Sequence, residues 1–218
     1  MDSQVKSAML FAAGLGTRMR PLTDSLPKSL IEVGGTSMLS RALDWVESAG
    51  LTDIVVNTHW HAQQVIDHTR ARNVVIQNEP HLLETGGGLK LALPHLGDPI
   101  LTMNTDAVWA GPNPVELLIE NWTPDDQALL LLAPRANSNF SMSRSGYLSR
   151  GGDWIYTGVQ IIRPENVRKR PETVFSLNVV WDDLINANGL RGVPYSGEWC
   201  DVGTPQDIER AEKLLLKT

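Results

Sequence analysis

A chain of 218 residues with 42% hydrophobic content carries enough apolar mass for one sizeable core, and its formal net charge of −6 excludes a surface built to lie along nucleic acid, which would be basic. A ligand bearing phosphates must then be met locally, by a few cations or by metal. One cysteine excludes an internal disulfide framework, and no apolar run is long enough to span a membrane; with no charged region and long apolar core in the opening MDSQVKSAML, the expectation is a cytoplasmic protein with no membrane and no nucleic-acid partner.

Ser7 to Ala13 reads as the first strand, a continuous apolar run of the kind buried on both faces. The loop that follows, ending at PKSL, holds Gly14, Gly16, Thr17, Arg18, Arg20, Pro21 and Lys28. Gly14-x-Gly16 gives two of the three glycines of a dinucleotide turn, but Met19 occupies the third place, and no P-loop string occurs. A lone G-x-G fits a tight βα turn equally well. Three cations around a proline-stiffened turn repel one another unless an anion offsets them, so the loop is expected to cradle phosphate at a strand's carboxyl end.

Met38 to Ala49 then reads as a helix, with Met38, Leu39, Ala42, Leu43 and Val46 on one face and Gly50 at its end. Asp53 to Thr58 is a second buried strand, Ala62 to Arg72 a helix, Val74 to Gln77 a strand, Gly88 to Leu93 a short helix stopped by Pro94, and Pro99 to Met103 another strand. This order predicts an α/β fold, a doubly wound and mostly parallel mixed sheet in a single domain, 1–218. From 128 to 163 the pattern changes to ALLLLA, a polar turn region and DWIYTGVQII, read as added mixed strands. Pro205 to Lys217 closes the series as a helix with Ile208, Ala211, Leu214 and Leu215 on one face and Thr204 as N-cap.

Other residues that carry chemistry are fewer. Asp106 follows ILTMNT at a strand's carboxyl end, and Asp201 precedes the last helix; either alone is an ordinary turn or capping aspartate. Glu84-Thr85-Gly86-Gly87-Gly88 opens a helix with three glycines, each costing roughly 0.5–1 kcal/mol relative to alanine, so close approach by a ligand is expected there. His59-Trp60-His61 lacks a third ligand at a metal-site spacing, and Cys200 has no activating histidine motif. Of the seven tryptophans only Trp109, just after Asp106, is expected near the site.

AAGLGTRMRPLT followed by PKSL resembles the G-x-G-T-R-x-x-P-L-T…P-K motif of sugar-1-phosphate nucleotidylyltransferases, which make NDP-sugars from an NTP and a sugar 1-phosphate. ETGGG at 84–88, NTD at 104–106 and WCDVGTP at 199–205 match in the same order, so the resemblance spans nearly the whole chain. It implies a Rossmann-like nucleotidyltransferase fold, with a nucleotide-binding half at about 1–127 and a sugar-phosphate half at about 128–218. It further implies backbone around Ala13, Gly14, Leu15, Gly16 and Thr17 cradling the triphosphate, Arg18 on its β- and γ-phosphates, and Lys28 at the reacting phosphates. Asp106 and Asp201 would hold Mg²⁺. Glu84, Thr85 and Gly86 would lie along base and ribose, with Gln77, Asn78 or Glu79 reading the base edge, and Asn104, Trp109, Thr157, Gly158 and Asp201 facing the sugar phosphate. Within the family, ETGGG and the short chain look most like N-acetylmuramate-1-phosphate uridylyltransferases, with UTP as nucleotide; mannose-1-phosphate guanylyltransferases are the alternative, and a non-catalytic NDP-sugar sensor is the alternative of another class. The Glu-Lys-Pro string of many relatives is missing between Asn137 and Gly158, which leaves the acceptor phosphate to Asp201, metal, or a cation such as Lys90.

Overall fold

Ser7 to Phe11 form β1 in the computed structural model, which describes residues 5–217, and all but the last of its residues are buried, as a strand covered on both faces requires. The elements that follow are β2 (Glu32–Val33), β3 (Thr36–Ser37), α1 (Met38–Ser48), β4 (Asp53–Thr58), α2 (Ala62–Thr69), β5 (Val74–Asn78), α3 (Glu84–Ala92), β6 (Ile100–Asn104), β7 (Ala107–Ala110), α4 (Pro114–Asn121), β8 (Ala128–Met142), β9 (Leu148–Ile162), α5 (Glu165–Arg168), α6 (Leu177–Asn186), β10 (Leu190–Pro194), β11 (Glu198–Asp201) and α7 (Pro205–Leu215). Seven strands make one sheet in the order β10-β8-β9-β6-β1-β4-β5. Only β9 runs against its neighbours, pairing antiparallel with both β6 and β8, so the sheet is mixed and mostly parallel. β1 lies between β6 and β4, so successive crossovers leave it in opposite directions and open a crevice beyond the carboxyl ends of β1 and β6.

The alternation of side chains along each strand sorts the core into two layers. Ala8, Leu10, Ile54, Val56, Leu101, Met103, Leu129 and Leu131 pack with Leu39, Leu43 and Val46 of α1, Val65 of α2 and Leu118 of α4. Met9, Val55, Ile100, Leu130 and Leu132 face the other way, onto Leu89 of α3 and Val180, Trp181 and Leu184 of α6. A third cluster joins α7, through Ala211 and Leu214, to Met19, Val108, Cys200 and Val202. It anchors a separate two-stranded ribbon of β7 and β11.

The strands β1, β4, β5, β6, β8 and β9, with α1 and α7, follow the sequence reading closely, whereas β10 was not read. α1 ends at Ser48, with Gly50 at φ 81 just beyond it. β1 ends two residues short of Ala13 because the Ala12 N–H leaves the ladder for the Asn57 side chain, 2.7 Å away. α2 stops at Thr69 rather than Arg72. Three helices escaped the reading. α4 has Asn113 as N-cap with Pro114 behind it, and α6 has Ser176 accepting from Asn178 N at 3.2 Å, so both carried ordinary start signals.

α3 is the main correction. It begins at Glu84, with the glycines inside its first turns, and their surroundings are protein rather than ligand. A Cβ on Gly86 would lie 2.3 Å from the Phe175 ring, on Gly87 2.2 Å from the Thr173 carbonyl oxygen, and on Gly88 2.8 Å from Glu79 Oε1. The Phe175 carbonyl accepts from the N–H groups of Gly86 (2.9 Å) and Gly87 (3.1 Å), capping the helix from a segment about ninety residues away. Thr85 Oγ1 accepts from Leu177 N at 3.0 Å, so α3 and α6 start back to back.

At the head of α7, Asp207 Oδ2 accepts from both the backbone N–H and the hydroxyl of Thr204, each at 2.8 Å. Burial opposes the charge of Asp207, but these bonds, one from Gly203 and the nearby Arg210 hold its carboxyl below the usual range. Asp207→Ala is therefore expected to cost ~1 kcal/mol. Because a depressed carboxyl contributes above its unfolded pKa, the gap from the parent in thermal unfolding should narrow as pH falls through the acid range.

Candidate active site

Gly16 sits at φ 61, with Thr23 Oγ1 donating to its carbonyl at 2.8 Å; a Cβ would lie 2.8 Å from Thr23 Cγ2 and 2.9 Å from Lys28 Cβ. Glycine is needed here to bring the loop back onto Lys28. A Cβ on Gly14, by contrast, would meet no protein atom within 4 Å. A second segment clamps the loop from outside: Trp60 Nε1 donates to the Thr23 carbonyl (2.9 Å), His61 Nε2 meets that of Asp24 (3.1 Å), and Gln64 Nε2 donates to that of Ser25 (2.9 Å). With His59 Nδ1 on the Glu79 carbonyl at 2.8 Å, both histidines are backbone clamps. Among the described residues no group of three His, Cys, Asp or Glu is placed to hold a metal.

The two aspartates arrive from distant parts of the chain. Asp106 follows β6, where Thr105 Oγ1 donates to the Phe11 carbonyl at 2.7 Å and ties β6 to the end of β1. Asp201 ends β11, opposite Ala107 in the ribbon, and Val202 N donates to the Asp106 carbonyl at 2.8 Å. Backbone pairing thus sets the aspartates side by side. Lys28 Nζ lies 2.6 Å from Asp106 Oδ2, with its side chain only 12% exposed. Arg18 approaches from the other side: a Cβ on Gly203 would touch its guanidinium nitrogens at 3.1 and 3.3 Å and Asp201 Oδ2 at 3.3 Å. Burial and the charge of Asp106 push the Asp201 carboxyl up, while Lys28 and Arg18 pull it back. Such a pair of carboxylates fits a hard divalent cation that completes its shell with phosphate oxygens.

Two cavities meet at Asp106. The first, ≈ 320 Å³, is lined by Ala12, Ala13, Gly14, Lys28, Asn57, Glu79, Glu84 and Thr85 among others. Glu84 is held at φ 58, a strained conformation for a residue with a side chain. The second, also ≈ 320 Å³, is walled by Asn139, Tyr156, Thr157, Gly158, Asn178, Trp181, Trp199 and Asp201, and shares Phe11, Thr85, Asn104 and Asp106 with the first. Its charged lining is Asp106 and Asp201, with no lysine or arginine. Burial pushes the Tyr156 hydroxyl well above its usual range, with Asp106 adding to the shift, so that wall is neutral. Trp181 Nε1 donates to Gln160 Oε1 at 2.8 Å, which fixes the ring.

Most residues singled out in the sequence converge here, but not all. Trp109 is 3% exposed and lines a different cavity, against Arg41 and Trp45; its ribbon partner Trp199 faces the second cavity instead. Lys90 Nζ donates to the carbonyls of Arg170 and, at 3.0 Å, Glu172, away from both cavities. Asn78 is exposed at the end of β5 and lines neither cavity. Gly86 faces Phe175. Leu15, Thr17 and Arg18 are exposed, outside the lining of either cavity. Asn57, Asn139, Asn178 and Trp181 were missed; Asn57 carried a signal, being a polar residue inside the buried run DIVVNT.

A glycine-and-cation loop at the switch point of a mostly parallel sheet, with paired carboxylates between two cavities, defines a nucleotidyltransferase: the chain belongs to the MobA-like NTP transferase family, whose model matches residues 8–151, and is an enzyme of the sugar-1-phosphate nucleotidyltransferase class. It is 37% identical to the N-acetylmuramate alpha-1-phosphate uridylyltransferase of Caulobacter vibrioides over 100% of both chains. With the protein of that name from Neisseria meningitidis it shares 31% identity, over 95% of this chain and 97% of the relative. Among solved structures, HddC from Yersinia pseudotuberculosis complexed with GMP-PN has the same fold, with a TM-score of 0.80 at 20% identity over 96% of this chain and 99% of that one. No helix among the described residues is long and apolar enough to cross a membrane.

Proposed function

We propose that the protein transfers the uridylyl group of UTP to N-acetyl-α-muramic acid 1-phosphate, giving UDP-N-acetylmuramic acid and pyrophosphate, as a cytoplasmic step of cell-wall recycling. The observation that carries this reading is the junction of two cavities at Asp106, with Lys28 Nζ 2.6 Å from its carboxylate. The first cavity takes the nucleotide and is lined by residues up to 106, whereas the walls that distinguish the second come from beyond 127, apart from Ala107. That supports a nucleotide half at about 1–127 and a sugar-phosphate half at about 128–218.

An oxygen of the sugar 1-phosphate forms a bond to the α-phosphorus, the bond from that phosphorus to the bridging oxygen breaks, and pyrophosphate leaves with the electron pair. The nucleophile is already anionic, so the chain's residues align and neutralise phosphates rather than remove a proton. Gly14 leaves space for the phosphate chain beside the loop's N–H groups, Arg18 meets the β- and γ-phosphates, and Lys28 reaches the reacting ones. Glu84 and Thr85 flank base and ribose; Asn104, Thr157, Gly158, Asn139 and Asn178 bind the sugar with Trp199 and Trp181 against its ring. Asp106 and Asp201 would hold Mg²⁺, which would supply positive charge to the crowded phosphate oxygens.

The test is a pyrophosphate-release assay of four NTPs against a panel of sugar 1-phosphates. UTP with N-acetylmuramic acid 1-phosphate should give the highest rate. Turnover restricted to GTP with mannose 1-phosphate would overturn the substrate assignment, and silence across the panel would favour an NDP-sugar sensor.

A further inference from the structure

Glu79 is 2% exposed, faces the nucleotide cavity, and has no cation among its hydrogen-bond partners. Every partner is an N–H donor: Asn57 Nδ2 at 2.7 Å on Oε1, Leu83 N at 3.3 Å on Oε2, and Gln77 Nε2 more loosely at 3.4 Å. Asn57, 3% exposed, is itself turned by the backbone, because the Ala12 N–H needs its Oδ1 as acceptor at 2.7 Å. That leaves Nδ2 facing Glu79. The result is one buried relay, Ala12 N–H to Asn57 to Glu79 to Leu83 N–H. It joins the first residue of the glycine loop to the segment that leads into Glu84 and Thr85.

The surroundings are shaped for this relay. Gly88 has no side chain where a Cβ would lie 2.8 Å from Glu79 Oε1 and 3.1 Å from Asn57 Nδ2. Backbone bonds hold Glu79 at both sides: its N–H donates to the Thr58 carbonyl at 2.8 Å, and its carbonyl meets His59 Nδ1 at 2.8 Å. With three protein N–H donors already on its carboxylate, Glu79 keeps about one of its roughly four acceptor sites for anything else.

We infer that Glu79 is a positioning residue: acting through Asn57, it sets the distance between the loop that holds the phosphates and the loop that holds the base. The inference rests on the nucleotidyl-transfer reading of the first cavity. Its consequence is that the relay matters through its donor and acceptor pattern, which a pair of substitutions can reverse. In Glu79→Gln only one oxygen remains, so an N–H of the new amide faces either Asn57 Nδ2 or Leu83 N. In Asn57→Asp a second carboxylate oxygen faces Glu79 Oε1. With both changes together, the amide at 79 donates to the carboxylate at 57, which still accepts from Ala12 N, and the remaining oxygen at 79 accepts from Leu83 N. The double variant keeps the parent's single negative charge, whereas Glu79→Gln removes it and Asn57→Asp adds a second.

The experiment measures kcat and KM for each substrate, together with thermal unfolding, for the parent, both single variants and the double variant. Each single variant is expected to lose at least ~10-fold in kcat/KM for the nucleotide through misalignment, with KM for the sugar phosphate unchanged. The double variant should recover most of that loss and unfold at a higher temperature than either single variant. A double variant no better than the worse single one would overturn the relay. So would a Glu79→Gln variant of normal activity, or one whose main effect is a changed ranking of UTP against the other NTPs, which belongs to a base-reading residue. The unfolding arm needs no substrate. An inactive parent would thus speak against the proposed function while the coupling between 57 and 79 is still decided.

Discussion

Alanine at Asp106 and alanine at Asp201 are each expected to cut pyrophosphate release on the order of 10²–10³-fold or more, the loss seen when one charge-stabilising group is taken from a reacting centre. The two variants should part in stability. Asp106 is the partner of Lys28 at 2.6 Å, and Lys28 is largely buried, so removing the carboxylate strands a cation; Asp106→Ala should unfold at a lower temperature than the parent. Asp201 is the reverse case. Burial and the neighbouring Asp106 raise its carboxyl, so its ionised form opposes folding wherever the pH lies above that raised value. In chelator, Asp201→Ala should therefore unfold at a higher temperature than the parent near neutral pH, and the gap should close once the pH falls below the unfolded carboxylate range. Near-normal turnover in either folded variant would remove the metal-ligand assignment.

The second large effect is at Gly87. A Cβ there would lie 2.2 Å from the Thr173 carbonyl oxygen, a backbone atom that cannot swing aside. Gly87→Ala is expected to cost ~3 kcal/mol, the upper end of ordinary overpacking, and to lower the unfolding midpoint by roughly 6–12 °C. Gly14→Ala provides the contrast, since its Cβ would meet no protein atom within 4 Å. It should unfold like the parent and yet turn over more slowly, because on the proposed function the space it fills is the nucleotide's. If both variants proved equally stable, the close approach of the Thr173 carbonyl would not be what requires glycine at 87.

That contrast also marks how far the amino-acid sequence could be read. β1, α1, β4 and α7 were legible because each shows its own period and end signals over a few residues, as in Met38 to Gly50. The loop with Arg18 and Lys28 stood out because three cations crowd one proline-stiffened turn, whereas the aspartates at 106 and 201, each an ordinary turn or capping residue alone, were singled out only by their joint match to the nucleotidylyltransferase motifs. The glycines at 86–88 were visible as a cost but not as to its cause: Phe175 and Thr173 come from another part of the chain, and nothing local announces them. Trp109 and Trp199 show the same limit on a finer scale. They stand opposite each other in the ribbon, so the pleat puts both rings on one face, and only the neighbours beyond the ribbon decide that Trp199 reaches the second cavity while Trp109 lines another. α4 and α6 were within reach, since Asn113-Pro114 and Ser176 are ordinary helix starts.

The ribbon of β7 and β11 has a further consequence for how this site can change. Asp201 stands opposite Ala107, and the Asp106 carbonyl receives Val202 N, so the spacing of the two carboxylates is fixed by main-chain register. Register moves in whole residues, and a slip of one would turn Asp201 to the opposite face of the ribbon. The carboxylate pair is consequently a digital feature, either in step or lost. The walls contributed by Asn139, Asn178 and Trp199 can be altered atom by atom. On the proposed function, substitution would retune the acceptor gradually, but an insertion or deletion in either short strand would switch the enzyme off in one step.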